Sequence, residues 1–526
     1  MATATTHRRS DVRGSSGPPG SLGRLWLAVR SHRRFGTLSA IVLAAGLAFV
    51  SSIPMPRGPV TSTQGLAVIL LAALVGVAAG YSMRSRWVLL VAPLAYMIAY
   101  EIARTGIRGA SLEGFRFDTA YGIAAFLVGR GFHGLLALLP LVVGASIGVS
   151  IANAPGARRS WRRRLAGQVP HGLLTVAVIG LALVVAMPGS TPPVTGADGN
   201  PIAGSVAELT RVELGGTEQA IAIRASDPDD PVLLYLSGGP GQSDLAFSRV
   251  LFEPLVADFV VGWDQRGTGR SYVALDPTTD LTVEQAVSDT IELAEYLRER
   301  FDEEAIYLLG ESWGTTLGVL AVQERPDLFH AYIGSGQMVS QRETDRIIWR
   351  DLLAWAERNG ESSLYDQVLT LGEPPYRDTP WANSFVMGYY GVLETPYDPP
   401  PAYVDRGTSW DVGPWGILGS EYGFVDKANV IRGILDMFSL MYPQLQDIDF
   451  RRDVPRLEVP VYVLDGAHEL RGRRLLAHEW FEALEAPHKR LITYEDAGHS
   501  VAFEQADALH RLLVDEIVPL TYGREV

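Results

Sequence analysis

One short stretch near the middle of the chain constrains the fold most. An apolar segment, residues 305–309, runs directly into Gly310-Glu311-Ser312-Trp313-Gly314, and a helix-compatible segment, residues 315–324, follows at once. Strand, sharp turn and helix in this order require glycines, because side chains at positions 310 and 314 would collide with their neighbours. The pattern is common by chance in a glycine-rich chain, but its position between strand and helix predicts that the hydroxyl of Ser312 is lifted clear of a sheet as a nucleophile.

The sequence around this turn predicts an α/β fold. From about residue 207, short segments rich in Val, Ile, Leu and Tyr alternate with amphipathic helices, such as residues 282–300 and 474–484. This alternation is typical of a mostly parallel sheet with helices on both faces. The predicted strands are residues 232–236, 260–264, 305–309, 331–334, 459–464 and 490–494.

The N-terminal part of the chain has a different character. Apolar runs near the roughly 17 to 25 residues needed to cross a bilayer predict an all-α membrane region at 38–187 with about five transmembrane helices. The first run begins too far from the N-terminus to be a cleaved signal peptide. A Pro/Gly/Ser/Thr-rich linker at 188–206 follows. The predicted spans are residues 38–53, 65–83, 87–103, 133–151 and 172–187.

Charge distinguishes the two parts and predicts their orientation. Up to residue 190 the chain has 19 Arg, no Lys and 4 acidic residues, whereas the remainder has 26 basic and 55 acidic residues. The basic segment 1–37, the Arg84-Ser85-Arg86 turn and the arginines at 158–164 share one side if there are five spans, and basic loops are typical of the cytoplasm. The acidic C-terminal part is then extracytoplasmic, bound to a lipid bilayer through its spans, and nucleic acid is excluded as a partner.

This orientation depends on the fourth apolar region. Residues 121–128 are also apolar, but Arg130 and His133 interrupt the run, so we expect an interfacial piece followed by one helix. Two spans in this region would invert the orientation. The chain has no cysteine, which excludes disulfides, thiolate catalysis and Cys-ligated metal. We predict no cofactor and no metal.

A serine nucleophile needs a base and an acid that orients the base. His499 lies just after the strand 490–494 and is the predicted base; His468, His478 and His488 are less well placed. The acid should follow the strand 459–464, where Glu469 is preferred and Asp465 is the alternative. A histidine with only a surface hydrogen bond is the competing interpretation of His499.

The reaction also needs amides that bind an oxyanion. Ser237-Gly238-Gly239-Pro240-Gly241 follows the strand 232–236, and its glycines permit close backbone approach. We nominate the amides of Gly239 and of Trp313, the residue after the nucleophile. An ordinary tight turn is the alternative.

Three motifs together resemble one family. Gly238-Gly239-Pro240-Gly241, residues 264–271 (DQRGTGRS) and Gly310-x-Ser312-Trp313-Gly314 are similar to the proline iminopeptidase group of α/β-hydrolases, peptidase family S33. The resemblance covers about residues 207–519 of a predicted hydrolase domain at 207–523. It implies removal of an N-terminal residue, often proline, from a peptide, although some relatives act on amides or esters.

The resemblance also bears on individual residues. The family's acid follows a glycine, which maps to Glu469, although the usual residue is Asp. Ser237 and Glu311 replace the family's usual His and Gly, and these departures affect substrate specificity more than mechanism. An insertion at about 339–456, rich in Trp, Tyr and Pro, is predicted to form a helical cap. The family holds the substrate's amino terminus with cap carboxylates; candidates are Glu421, Glu343 and Glu394, with a solvated surface glutamate as the alternative for each.

The leading hypothesis is a membrane-anchored, extracytoplasmic serine aminopeptidase that cleaves a peptide. The same machinery would also serve a carboxylesterase or lipid esterase acting on a small amide or ester. A membrane receptor or transporter component with an inactive hydrolase domain is the hypothesis from another class. The sequence carries no signal for an oligomeric state.

Overall fold

The structure is a computed structural model that describes residues 33–107, 109–113, 116–117, 119–153, 161–196, 198–252, 254–255, 259–279, 281–376, 378–407, 413 and 416–522. Most of the predicted basic segment 1–37 and the arginines at 158 and 159 lie outside the described residues. The side chains of residues 162–164 lie outside them as well.

The chain divides into two compact units. The helical unit comprises the described parts of Met1–Ser51, Ile69–Ala103 and Leu138–Ala177. The sheet unit comprises the described parts of Ser52–Val68, Arg104–Ala137 and Val178–Val526. The predicted membrane region 38–187 is therefore divided between the units, because its described residues within 52–68, 104–137 and 178–187 belong to the sheet unit.

Each predicted span coincides with a helix. Three stretches are long and apolar enough to cross a membrane by length and composition: Arg34–Ser52, Ser62–Met83 and Ala120–Ala152. Val88–Ala103 and His171–Ala186 are shorter apolar helices. In the described N-terminal part the helices are α1 (Arg33–Ser52), α2 (Ser62–Met83), α3 (Val88–Ala103), α4 (Ala120–Phe126), α5 (Phe132–Ala152) and α6 (Trp161–Ala186).

A π turn, Leu127–Gly131, joins α4 to α5, so the 33 residues Ala120–Ala152 form one helical stretch. The sequence predicts an interruption at Arg130 and His133, but both residues lie within this stretch. Local polarity did not break the helix, because its backbone hydrogen bonds are satisfied within the segment and do not depend on side-chain polarity.

Helices α2 and α5 pack through glycines spaced four residues apart. A Cβ at Gly76 would clash with the carbonyl oxygen of Leu141, and a Cβ at Gly80 would clash with that of Ala145. Because the contact advances along both helices together, α2 and α5 run parallel. Gly144 and Gly148 make the reciprocal approach from α5. Such small-residue contacts are typical of helix pairs in membranes.

The sheet unit contains an eight-stranded sheet with the order β1-β2-β4-β3-β5-β6-β7-β8. The β1/β2 and β2/β4 pairs are antiparallel, and all other pairs are parallel. All six predicted strands are present, and the β1–β2 hairpin is additional. The strands are β1 (Val206–Leu214), β2 (Thr217–Ala225), β3 (Val232–Leu236), β4 (Phe259–Asp264), β5 (Ile306–Glu311), β6 (Phe329–Ser335), β7 (Val461–Gly466) and β8 (Lys489–Tyr494).

Helices cover both faces of this sheet. In β3, Leu234 belongs to the core on one face and Tyr235 to the core on the other, as expected for strands buried on both sides. The helices are α7 (Leu245–Leu251), α8 (Val283–Phe301), α9 (Trp313–Glu324), α10 (Gln341–Arg358), α11 (Ser362–Leu371), α12 (Trp381–Met387), α13 (Tyr390–Leu393), α14 (Pro401–Gly407), α15 (Phe424–Met441), α16 (Phe450–Asp453), α17 (Arg471–Ala483), α18 (Val501–Glu504), α19 (Ala506–Leu512) and α20 (Val518–Thr521). Short 3-10 turns occupy Ala110–Leu112, Gly269–Ala274, Pro326–Leu328 and Tyr442–Asp447, and Leu513–Ile517 forms a second π turn.

Helices α10 to α16 lie between β6 and β7, where the insertion at about 339–456 is predicted. The segment predicted to be a linker, 188–206, packs on the sheet unit. Arg224 Nη1 donates to Thr191 Oγ1 at 2.6 Å and to the Pro192 carbonyl at 2.7 Å, and the Ser190 amide donates to the Ser420 carbonyl at 2.8 Å. These hydrogen bonds fix its first half to β2 and to the insertion.

Candidate active site

Ser312 lies on a strained turn between β5 and α9. Its backbone angles, φ 52° and ψ −116°, are unfavourable for a residue with a side chain. The two flanking glycines permit the turn: a Cβ at Gly310 would lie 2.6 Å from the carbonyl oxygen of Gly314, and one at Gly314 would clash with that of Leu236. The Ser312 amide donates to the Ser335 carbonyl at 2.9 Å, which fixes the turn to the end of β6.

His499 and Glu469 come together although 30 residues separate them. A short hydrogen bond joins Nδ1 of His499 to Oε2 of Glu469. The other oxygen of this carboxylate accepts from the Leu470 amide at 2.7 Å and from Arg473 Nη1 at 3.3 Å. Burial by itself would raise the pKa of Glu469, but the charges of His499 and Arg473 and these hydrogen bonds lower it to about 2. The carboxylate is therefore ionised at neutral pH and lies in hydrogen-bond contact with the imidazole.

The segment that follows β6 connects Ser312 with His499. The carbonyl group of Ser335 accepts a hydrogen bond from the Ser312 amide, and the next residue, Gly336, has φ 58°. A Cβ at Gly336 would lie 2.8 Å from Cε1 of the His499 ring. The same two residues thus touch the turn of the predicted nucleophile and the ring of the predicted base.

The alternative acid, Asp465, has different partners. Its Oδ2 accepts from Arg474 Nε at 3.0 Å and from Thr493 Oγ1 at 2.9 Å, and it lies 3.0 Å from Nε2 of His478. Asp465 is the penultimate residue of β7, so its side chain is held at the sheet. Glu469 lies beyond the turn, and its carboxylate forms the hydrogen bond to His499.

The predicted oxyanion loop lies next to the nucleophile. A Cβ at Gly238 would be 3.4 Å from Cβ of Ser312, and Gly239 has φ 115°, which favours glycine. Trp313 is the first residue of α9, so its amide has no acceptor within the helix. Both nominated amides therefore belong to backbone beside Ser312.

Gln265 was not singled out from the sequence, but it joins these two elements. Its Oε1 accepts from Trp313 Nε1 at 2.9 Å, and its Nε2 donates to the Ser237 carbonyl at 3.2 Å. Its position inside the motif at 264–271 is the signal that could have identified it. The motif thus acts as a brace between the oxyanion loop and the nucleophile turn.

Two further acidic residues lie near the site: the sequence identified Glu311 only as a departure from the family pattern, and Glu504 was not singled out. Glu311, directly before the nucleophile, is buried, and burial raises its pKa well above the usual value. Glu504 accepts from the Gly498 amide at 2.8 Å and from the Tyr397 hydroxyl at 3.0 Å, which supports the backbone that precedes His499. Among the described residues, no group of three or more His, Asp or Glu side chains is arranged to hold a metal ion.

The three carboxylates proposed to hold the substrate's amino group lie in unlike surroundings. Glu421 is fully buried, and its Oε1 accepts from Arg249 Nε at 2.6 Å. The prediction that Glu421 binds the substrate's amino group is therefore wrong, because its carboxylate is paired with an arginine inside the protein. Glu343 pairs with Arg346 on the same helix at 2.7 Å. Glu394 precedes Thr395, whose hydroxyl lies 2.9 Å from Nδ1 of His468, on the turn that carries Glu469.

Comparisons with known proteins show which families and structures this chain is similar to. Residues 231–370 match the family model of the alpha/beta hydrolase fold. The "Probable aminopeptidase YbaC" of Bacillus subtilis (strain 168) is 28% identical over 303 residues, which cover 57% of this chain and 93% of that protein. The proline iminopeptidase of Arabidopsis thaliana is 27% identical over 232 residues, 43% of this chain and 54% of its own length. A solved proline iminopeptidase-related protein from Thermus thermophilus has a TM-score of 0.41 and 21% identity, covering 60% of this chain and 98% of that one.

The match to the family model includes β3, the nucleophile turn and β6, and it ends before β7. The sheet unit thus contains an alpha/beta hydrolase fold, and the similarity of the chain to proline iminopeptidases supports a hydrolase.

Proposed function

We propose that this protein is a serine hydrolase whose catalytic triad consists of Ser312, His499 and Glu469. The hydrogen bond between His499 and Glu469, beside a serine on a strained turn, is the observation that carries the proposal. Because Nδ1 of His499 faces the carboxylate, Nε2 remains to accept the proton of Ser312. The low pKa of Glu469 keeps the carboxylate charged while the imidazolium forms.

The proposed reaction proceeds through an acyl-enzyme. Ser312 Oγ attacks the substrate carbonyl as His499 takes its proton, and the amides of Gly239 and Trp313 stabilise the oxyanion. The N-terminal end of α9 adds a favourable dipole at this point. His499 then donates its proton to the leaving group, and water, activated by the same histidine, releases the acyl product.

We propose an aminopeptidase, similar to proline iminopeptidases, as the activity. The names of the relatives support this substrate class. Of the three predicted cap carboxylates, Glu394 is best placed to bind a substrate ammonium group, because none of the described residues forms an ion pair with it and its neighbour contacts the turn of Glu469. Tyr397, three residues further, stacks on His468 with ring centroids 4.5 Å apart, which holds this segment beside the site.

An assay with S312A as the control tests this function. We expect the full-length protein in detergent to hydrolyse proline or alanine 4-nitroanilide, and S312A to lose this activity. Robust hydrolysis of 4-nitrophenyl butyrate with no arylamide cleavage would replace the peptidase assignment with an esterase. A folded wild-type protein that is inert toward both substrates and toward a fluorophosphonate would support the inactive-domain hypothesis.

We further propose that the apolar helices anchor the protein in a membrane with the hydrolase domain extracytoplasmic. The continuous stretch Ala120–Ala152 supports one crossing in the region where two would invert the orientation. The parallel packing of α2 and α5 supports α3 as the single return helix between them. The segments 52–68 and 104–137 group with the hydrolase domain, whereas the basic Arg84–Arg86 turn groups with the helical unit.

The absence of cysteine in the chain permits a direct test of orientation. Single cysteines would be introduced by Ser85→Cys, in the basic turn, and by Asp229→Cys, in an exposed turn of the hydrolase domain. In intact cells a membrane-impermeant maleimide should label only the variant with cysteine at position 229. After permeabilisation it should label both variants. Labelling of position 85 in intact cells would contradict the proposed orientation.

A further inference from the structure

Helix α15 carries a fully buried arginine that holds segments from the N-terminal part of the chain. Arg432 Nη1 donates to the Pro59 carbonyl at 2.7 Å, and its Nε donates to the Val128 carbonyl at 2.9 Å. Val128 lies in the π turn between α4 and α5, a type of turn that frequently marks functional sites. Asn429, one turn earlier on α15, donates to the Val60 carbonyl at 2.8 Å.

A buried acid one turn later makes a second attachment. The carboxylate of Asp436 accepts from the Ser111 amide and from the Ser111 hydroxyl, both at 2.8 Å. It also accepts from the Tyr272 hydroxyl at 2.5 Å. Arg432 and Asp436 are both fully buried, so removal of either set of partners would leave buried polar atoms without hydrogen bonds.

Between these two attachments, α15 packs against the oxyanion loop. A Cβ at Gly433 would lie 3.1 Å from the Gly241 carbonyl oxygen and 3.0 Å from that of Gly267, and a Cβ at Gly241 would clash with Gly433. Backbone therefore meets backbone on both sides, with no flexible side chain to absorb a displacement. Any movement of α15 would be transmitted to the loop that carries Gly239.

We propose that Arg432 and Asp436 are positioning residues for hydrolysis, and that residues 57–60, Ser111 and the π turn at 127–131 are functional parts of the hydrolase domain. They hold α15, and α15 holds the oxyanion loop in the geometry that transition-state stabilisation requires. The proposal rests on the proposed serine hydrolase function. It implies that the N-terminal part of the chain contributes to catalysis and is more than an anchor.

The test compares R432M, S111A and D345N in the full-length protein in detergent, with turnover normalised to active sites titrated with a fluorophosphonate. Asp345 is buried and accepts from the Tyr442 hydroxyl at 2.7 Å, so D345N, like R432M, perturbs a buried polar group, but at a place that does not contact the oxyanion loop. Displacement of one oxyanion donor lowers kcat by about 10²- to 10³-fold. We expect kcat to fall by nearly 10²-fold in R432M, with KM little changed, and by several-fold in S111A. D345N should be less stable than the wild type but retain its kcat per site.

Wild-type kcat per site in S111A and in the folded fraction of R432M would overturn the proposal. If R432M does not fold, S111A decides, since it removes one hydroxyl hydrogen bond and leaves the Ser111 amide in place. Failure of the proposed function is a separate result: the wild-type protein would then hydrolyse neither 4-nitroanilides nor 4-nitrophenyl butyrate, or S312A would hydrolyse them equally well.

Discussion

Glu469 and Asp436 have similar surroundings but different proposed roles. In both, a buried carboxylate accepts several hydrogen bonds, but Glu469 orients a histidine, whereas Asp436 holds a serine 325 residues away in sequence. The partners of Glu469 lie in the loop after β8 and in the segment from the turn after β7 into α17. The partners of Asp436 lie between apolar helices and on the loop after β4. In the proposed mechanism the first arrangement serves the reaction directly, and the second holds the backbone on which the reaction depends.

The largest effect on kcat is expected from a substitution of Glu469, in the turn after β7. E469Q should lower kcat by about 10³- to 10⁴-fold, because the neutral amide neither orients His499 in the required tautomer nor stabilises the imidazolium. D465N is the matched control: it lies four residues away, is equally buried, and binds Arg474 and Thr493. We expect D465N to change kcat less than tenfold. The opposite ranking in steady-state assays would exchange the roles of the two acids.

The pKa of Glu469 predicts how stability depends on pH. Its value of about 2 in the folded protein is below the usual 4.5, so the carboxylate stabilises the fold above pH 4.5, and this contribution is lost as the pH falls from 4.5 to 2. The shift corresponds to about 3 kcal/mol at neutral pH. Thermal unfolding should therefore show wild type more stable than E469Q at pH 7, with a smaller difference at pH 3. A difference that is equal at both pH values would mean that Glu469 is not held as a charged group.

The smallest predicted effect concerns substrate binding. If Glu394 holds the ammonium group, E394Q should raise KM for alanine 4-nitroanilide about tenfold, near the 1.4 kcal/mol expected of one weakened charged contact. Because the residue lies away from the reacting atoms, kcat should change little. Hydrolysis of 4-nitrophenyl butyrate, which has no amino group, is the internal control and should be unaffected. Equal changes with both substrates would remove Glu394 from this role.

The predictable part of the molecule follows local rules. The spacing of apolar residues predicted the six strands from β3 to β8, and the fold class is confirmed. The pattern around Ser312 predicted the strained turn, because only glycine fits at positions 310 and 314. The β1–β2 hairpin was missed, although the pair Gly215-Gly216, with φ 52° and 72°, is a recognised hairpin signal.

The remaining features depend on contacts between distant segments, which local patterns do not encode. Nothing in the sequence near Glu421 shows that Arg249 will neutralise it from 172 residues away. Likewise, Arg432 binds carbonyl groups that lie 304 and 373 residues before it. Gln265 is intermediate: its motif was recognised, but its role as a brace became visible only when β3, β4 and β5 were placed side by side.

The central claim is that Ser312 is an activated nucleophile, and covalent labelling tests it most directly. The full-length protein in detergent would be treated with a fluorophosphonate, and the modified peptide would be identified by mass spectrometry. We predict modification of Ser312 in the wild type, much slower modification in E469Q, and none in S312A. A folded wild-type protein that stays unmodified, or that is modified at another serine while Ser312 is untouched, would contradict this account.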